Sequence, residues 1–278
     1  MMPDQLARYL KAWDLSDPQP LAQTATSHVY TVRLEGAQVV LKLLTPLGVK
    51  DEVRGAIALR HFNGQGAVSL LREDEQAHLL EYADGPDLIP MVENGQDEAA
   101  TAIIADVLIA LHAPSTGPFP DGLTPLRVWF RDLFSKAEAD RRNGLHSIYM
   151  RAAPVAETLL ATPQDVRVLH GDMHHANIRH HAERGWLAFD PKGLLGERTF
   201  DAANSLCNPM DMPALVENES RLLKNAGILS HKLEIDLSRI LTFVFAYACL
   251  SASWSLDDND DPHHALRIAE LVEPHIDG

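Results

Sequence analysis

The spacing of apolar residues changes character about a third of the way along the chain. Val29 to Leu34 (VYTVRL) and Val39 to Leu44 (VVLKLL) are β-branched runs separated by Glu35-Gly36-Ala37-Gln38, a hairpin signal with glycine in the turn. A helical pattern follows from Lys50 to Phe62, with Val53, Ile57 and Arg60 on one face, until Asn63-Gly64 stops it. Val68 to Leu71 and Ala77 to Tyr82 are two further apolar runs around the polar turn Glu73-Asp74-Glu75. The expected order is strand, strand, helix, strand, strand. From Gly85 on, helical spacing dominates. Ile103, Ile104, Val107, Leu108 and Leu111 form a core-facing stripe within 97–112. More helices are expected over 126–142, 148–161, 213–225, 233–254 and 263–275, around one β island at 166–169 and 178–190. The Pro/Gly-rich stretch 114–125 reads as a loop. The fold class is α+β: a small antiparallel sheet with one helix over 1–83, then a larger, mainly helical part over 84–278.

Composition narrows the partners. With 24 Lys and Arg against 39 Asp and Glu, the formal charge is −15. Nucleic acid and anionic membrane are therefore not expected as partners, because both select a basic surface. The acid excess is compatible with a cationic small molecule. Cys207 and Cys249 each sit in an apolar stretch, which predicts buried free thiols in a reducing cytoplasm rather than a disulfide scaffold. The start, MMPDQLARYLKAWDLSD, lacks the basic and apolar regions of a signal peptide. The uncharged run from Ile240 to Ser253 is shorter than the roughly 20 residues of a membrane-spanning helix, and is expected to be a helix buried within a domain.

Residues 166–190, VRVLHGDMHHANIRHHAERGWLAFD, carry the chemistry. A buried strand ends at Leu169, and His170-Gly171-Asp172 turns. Ile178 to His180 and Trp186 to Phe189 form a hairpin around Glu183-Arg184-Gly185. This hairpin brings Asn177 and Asp190 together at its open end, where an amide oxygen and a carboxylate suit a hard cation. Asp172 stands at the rim of the same opening. Phosphoryl transfer needs this set: Mg²⁺ ligands, an acid that takes the incoming hydroxyl proton, and a cation on the phosphates. The spacing H-x-D-x-x-x-x-N followed by Asp matches the kinase catalytic-loop pattern. Lys42, in an otherwise apolar strand, supplies the cation, and Glu52 at the start of the next helix is its expected partner, with Asp51 the alternative.

The segment Leu169-His170-Gly171-Asp172-Met173-His174-His175-Ala176-Asn177-Ile178 resembles the aminoglycoside phosphotransferase superfamily of small-molecule kinases. Asp190-Pro191-Lys192-Gly193-Leu194, Phe200-Asp201-Ala202-Ala203-Asn204 and Asn208-Pro209 are similar to its streptomycin 6-phosphotransferase and hydroxyurea phosphotransferase branch. The resemblance covers nearly the whole chain. It implies a bilobal, protein-kinase-like fold with ATP between the lobes, 1–83 as the nucleotide-binding lobe, and Mg²⁺ as cofactor. It implies Asp172 as base, Asn177 and Asp190 as metal ligands, and the backbone of Glu81 to Ala83 against adenine. Lys42, Glu52, Ser27 and Lys192 would meet the nucleotide. Asp201 is expected to hold the catalytic-loop backbone and His170 to orient it. The acceptor would be a hydroxyl of a small molecule such as streptomycin, with Asp132, Glu197, Asp257 and Asp258 as candidates to hold it.

Two features motivate other readings. Ala25-Thr26-Ser27-His28-Val29-Tyr30 stands where a glycine-rich phosphate loop would be and has no glycine. That motivates a nucleotide-binding pseudokinase acting through a partner. His170, His174, His175, His180 and His181 crowd one segment and raise a zinc hydrolase, but they lack the spacing of a zinc-binding helix. Gly171, where protein kinases carry the arginine that reads a phosphorylated loop, argues for a small-molecule acceptor.

Overall fold

Alternation of side chains builds the N-terminal sheet. The computed structural model describes residues 2–113 and 117–276, the side chains of 2, 3, 50 and 51 excepted. After helix α1 (Met2–Ala12), strands β1 (Leu15–Gln23), β2 (Ser27–Leu34), β3 (Ala37–Leu44), β4 (Leu70–Asp74) and β5 (Ala77–Glu81) form an antiparallel sheet in the order β1-β2-β3-β5-β4. The β2–β3 turn is two residues rather than four. Glu35 (φ 51°) and Gly36 (φ 86°) are both left-handed, as a type I′ turn requires. Along β3, Leu41 and Leu43 face a small core with Val32, Val39, Leu79 and Tyr9 of α1. Period-two alternation turns Val40 and Lys42 to the opposite face.

Helix α1 and strand β1 were not in the expected element order. β1 carries Pro18 and Pro20, is mostly exposed, and pairs with β2 through two register shifts. Proline is tolerated there because an edge strand leaves one row of N–H groups unpaired. The helical pattern over 50–62 is two helices, α2 (Gly48–Asp51) and α3 (Val53–Phe62), meeting at Glu52. Its inward face is also not the expected one. Val53 is 44% exposed and Arg60 is exposed, whereas Gly55, Ala56, Ala58, Leu59 and Phe62 are buried.

The rest is mainly helical: α4 (Ile89–Glu93), α5 (Asp97–Leu111), α6 (Leu126–Trp129), α7 (Arg131–Arg142), α8 (Ile148–Ala161), α9 (Thr199–Leu206), α10 (Pro213–Val216), α11 (Glu219–Leu233), α12 (Leu237–Asp257) and α13 (His263–Val272). Strands β6 (Thr124–Pro125), β7 (Val166–Leu169) and β10 (Leu194–Glu197) form a small sheet, and β8 (Ile178–His181) pairs with β9 (Gly185–Ala188). α9 escaped the sequence reading because all eight of its residues are buried, which erases amphipathic spacing. At 21 residues α12 extends beyond the uncharged run Ile240 to Ser253. It is long and apolar enough to cross a membrane, yet 67% of its most apolar window is buried inside the protein.

The sheet and the helical part share a core. Ala58, Leu59 and Phe62 of α3 and Leu80 of β5 belong to one buried cluster with Leu108, Phe243 and Leu250. Ala67 also bridges to Ala188 of β9. α3 lies against residues 190–193: a Cβ on Gly55 would stand 2.4 Å from the Pro191 carbonyl, and one on Gly193 (φ 69°) 2.1 Å from the Arg54 carbonyl. Gly55→Ala is therefore expected to lower stability by about 1–3 kcal/mol through this backbone clash, although alanine normally favours a helix. Urea unfolding of the purified variant checks the sign.

Candidate active site

Lys42 joins three elements. Its Nζ donates to Glu52 Oε2 at 2.7 Å and to Asp190 Oδ1 at 2.5 Å. Lys42 is 8% exposed. Glu52 caps the junction of α2 and α3, and its other oxygen accepts the Thr26 hydroxyl at 2.9 Å. The side chain of Asp51, the alternative partner, lies outside the described residues. The glycine-free loop is pinned by neighbours: the Thr45 N–H donates to the Thr26 carbonyl at 2.8 Å and the Thr45 hydroxyl to the Ala25 carbonyl at 2.9 Å. Ser27 is 1% exposed, and its hydroxyl lies 3.2 Å from that of Thr24.

The His170-Gly171-Asp172 turn is held by Asp201 on α9. Its carboxylate accepts the N–H of His170 at 2.9 Å and of Gly171 at 2.7 Å, and contacts His112 Nε2 at 2.9 Å. Gly171 has φ 82°, and a Cβ there would stand 2.8 Å from Leu194. His170 Nδ1 accepts the Asp172 N–H at 3.2 Å, so its proton sits on Nε2, which faces the Phe189 carbonyl at 2.9 Å. The ring thus orients two segments. The Lys192 N–H bonds the His170 carbonyl at 2.7 Å, and Lys192 Nζ lies 3.2 Å from Asp172 Oδ2.

The hairpin register differs by one residue from the expectation. Ile178 pairs with Ala188, so Asn177 faces Phe189, whose N–H bonds the Asn177 carbonyl at 3.0 Å. Asp190 is the next residue, and its left-handed backbone (φ 64°) accompanies the turn toward Lys42. Asn177 Nδ2 donates to the Asp172 carbonyl at 3.0 Å, which ties the two together.

A cavity of about 820 Å³ opens between the sheet and the helical part. Lys42, Glu52, Asp190, Lys192 and Ser27 line it, as do Glu81 and Ala83. The Glu81 side chain is paired with Arg184 and accepts the Ser69 N–H at 2.8 Å. Glu197, a candidate to hold the acceptor, lies in the interior instead. It is 2% exposed and its carboxylate is engaged by Arg239, Thr199 and the Gln164 N–H, so it braces α9 and α12 and reaches no acceptor. Asp132 accepts the Trp254 indole N–H at 3.1 Å, and Trp254 packs edge-on against Trp129, a cavity residue, at 5.4 Å. Asp257 and Asp258 are exposed at the end of α12, about one turn beyond Trp254, and do not line the cavity. The sequence reading missed Thr26, His78, Trp129, Arg179 and His112. Only Thr26 had a local signal, as a polar residue in the expected phosphate loop.

The charges are tuned by these contacts. Burial pushes the Asp190 carboxyl up, but the ammonium groups of Lys42 and Lys192 outweigh it and hold it below the usual carboxylate range. Burial pulls Lys192 down, but Asp172 and Asp190 outweigh that and raise it. His78, opposite Lys42 on β5, falls to about 4 through burial and then the lysine charge. His175 falls to about 4 through burial and then Arg221.

The family model described as aminoglycoside/hydroxyurea antibiotic resistance kinase matches residues 12–259. The chain is 38% identical to a streptomycin 3''-kinase of Klebsiella pneumoniae over 253 residues, covering 90% of this chain and 91% of that one. It is 30% identical to a streptomycin 6-kinase of Streptomyces griseus over 267 residues, covering 92% and 84%. Among solved structures, an amicoumacin kinase in complex with AMP-PNP, Ca²⁺ and Ami superposes with a TM-score of 0.65 at 15% identity, covering 97% of this chain and 92% of that one.

The two low histidines set an acid limit on stability. Both are neutral when folded and take up protons near 6.5 when unfolded, so their contribution is complete above that value and is lost as pH falls toward 4. At pH 5 each is expected to cost about 2 kcal/mol. Urea midpoints at pH 7.5 and 5.0 check this, and His78→Gln should flatten the difference.

Proposed function

The chain belongs to the aminoglycoside/hydroxyurea antibiotic resistance kinase family, and from that premise we propose that it transfers the γ-phosphoryl group of Mg·ATP to a hydroxyl of a cationic aminoglycoside, with streptomycin the first candidate. The observation that carries this reading is the meeting of Lys42, Glu52 and Asp190 in one ion-paired cluster, beside a lysine that contacts Asp172. Residues 1–83 are taken as the nucleotide lobe and 84–278 as the lobe bearing the catalytic loop and acceptor site. The nucleotide base lies against the backbone of Glu81 to Ala83. Lys42, Ser27 and Lys192 meet the phosphates, and Glu52 positions Lys42.

Asn177 and Asp190 present an amide and a carboxylate, the oxygen donors that a hard divalent cation selects, at one end of the hairpin. Mg²⁺ bound there supplies charge neutralisation on the phosphates. Asp172 takes the proton of the acceptor hydroxyl. The acceptor oxygen forms a bond to the γ-phosphorus as the bond from that phosphorus to the β–γ bridging oxygen breaks, releasing ADP. Lys192 faces both Asp172 and the cavity, so its ammonium neutralises charge on either side of the transferred group.

The acceptor end of the cavity is marked by Trp129, with Asp132 and Trp254 behind it. An aromatic wall backed by a carboxylate suits a guanidinium or ammonium group. Asp257 and Asp258 add negative potential at the end of α12, which draws a cation toward this side. The relatives reported above are streptomycin kinases, which also supports this acceptor class.

The primary test is phosphate transfer from Mg·ATP to an acceptor panel containing streptomycin and hydroxyurea, followed by mass spectrometry of the product. Asp172→Asn is expected to cut turnover by about 10²–10⁴-fold while nucleotide binding persists. Wild-type turnover in that variant would remove Asp172 as base. Asp190→Ala is expected to lose the Mg²⁺-dependent part of nucleotide affinity in calorimetric titrations run with and without the metal.

A further inference from the structure

The cavity holds a cation that the scheme above does not use. Arg179 lies on β8, whose alternation buries Ile178 at 0% exposure and turns Arg179 to the other face, where it lines the cavity. The strand is fastened to the linker that leaves the N-terminal sheet. The Gly85 N–H donates to the His180 carbonyl at 2.8 Å, the His180 N–H to the Pro86 carbonyl at 2.9 Å, and Asp87 bridges to Arg179. Glycine at 85 permits this approach, because a Cβ there would stand 2.8 Å from the His180 carbonyl. Arg179 is therefore held where the linker leaves the sheet, in the cavity that Tyr82 and Ala83 also line.

Its surroundings do not neutralise it. The Nε of Arg179 is buried and has no hydrogen-bond partner, and no carboxylate pairs with the guanidinium among the described residues. Asp87, the acid nearest along the linker, directs Oδ1 to the Ile89 N–H at 2.9 Å. Val29, Val40, Leu80 and Phe189 line the same cavity. Arg179 is half-buried, but its buried Nε has no partner in the protein, and a buried polar group left unpaired is unfavourable. The phosphate-binding lysines belong to the Asp190 end, so the part of a nucleotide that reaches Arg179 is the base.

Resting on the nucleotide reading above, we propose that Arg179 is a base-binding residue whose guanidinium plane stacks on the purine ring. A planar cation on a π-face combines dispersion with attraction to the ring quadrupole. Lysine cannot reproduce the plane, and methionine reproduces the length without the charge.

Dissociation constants for Mg·ATP and for Mg·tripolyphosphate, which lacks a base, separate the possibilities in the wild-type chain, Arg179→Met and Arg179→Lys. The expected result is about tenfold weaker ATP binding in both variants, within the range of one stacked base, with tripolyphosphate binding unchanged. Thermal midpoints close to wild type would exclude a folding defect as the cause. ATP binding equal to wild type in Arg179→Met, or wild-type affinity in Arg179→Lys, overturns the stacking role. Equal losses for ATP and tripolyphosphate overturn it in favour of a phosphate contact. A wild-type chain that binds neither probe overturns the nucleotide reading itself, and this inference with it.

Discussion

The site depends on one buried ammonium shared by two carboxylates. Lys42 comes from the sheet, Glu52 from the helix junction and Asp190 from the hairpin of the helical part. Removing either acid would leave a nearly buried lysine short of charge, and such a group is far more costly than an exposed one. The pairing therefore joins the sheet to the helical part across the cavity. It also fixes the ionised form of Asp190, the state that a divalent cation needs.

Small residues make that pairing reachable. Gly55 and Gly193 let α3 and the 190–193 segment meet backbone to backbone. Thr26 extends the same network to the glycine-free loop, because its hydroxyl bonds the second oxygen of Glu52. The loop lacks glycine, yet it is shaped by side-chain and carbonyl hydrogen bonds rather than by backbone freedom. Closeness of backbones in one place and polar anchoring in another shape the same cavity wall.

The His170-Gly171-Asp172 turn has further support beside the Lys42 cluster. Asp201 accepts two backbone N–H groups and His170 bridges to Phe189. This support lies in the interior, and Gly171 offers no side chain through which a modified loop could act. The geometry is therefore built in with the fold. That agrees with a family of small-molecule kinases.

Local pattern alone determined the β2–β3 hairpin, α5, α8, β7 and the H-x-D-x-x-x-x-N segment, because each is written in contiguous spacing or in residue types that chemistry restricts. Lys42 and Glu52 were also legible, as a charge inside an apolar strand and an acid at a helix start. Other features were decided only in three dimensions. Edge position made a proline-bearing segment into β1, and full burial made α9 a helix without a stripe. Tertiary packing turned α3 onto its small residues, shifted the Asn177 pairing by one residue and sent Glu197 into the interior against Arg239. Arg179, lining the cavity where the linker leaves the sheet, belongs to this second group. A charged side chain's role depends on which distant backbone closes over it, and no local periodicity records that.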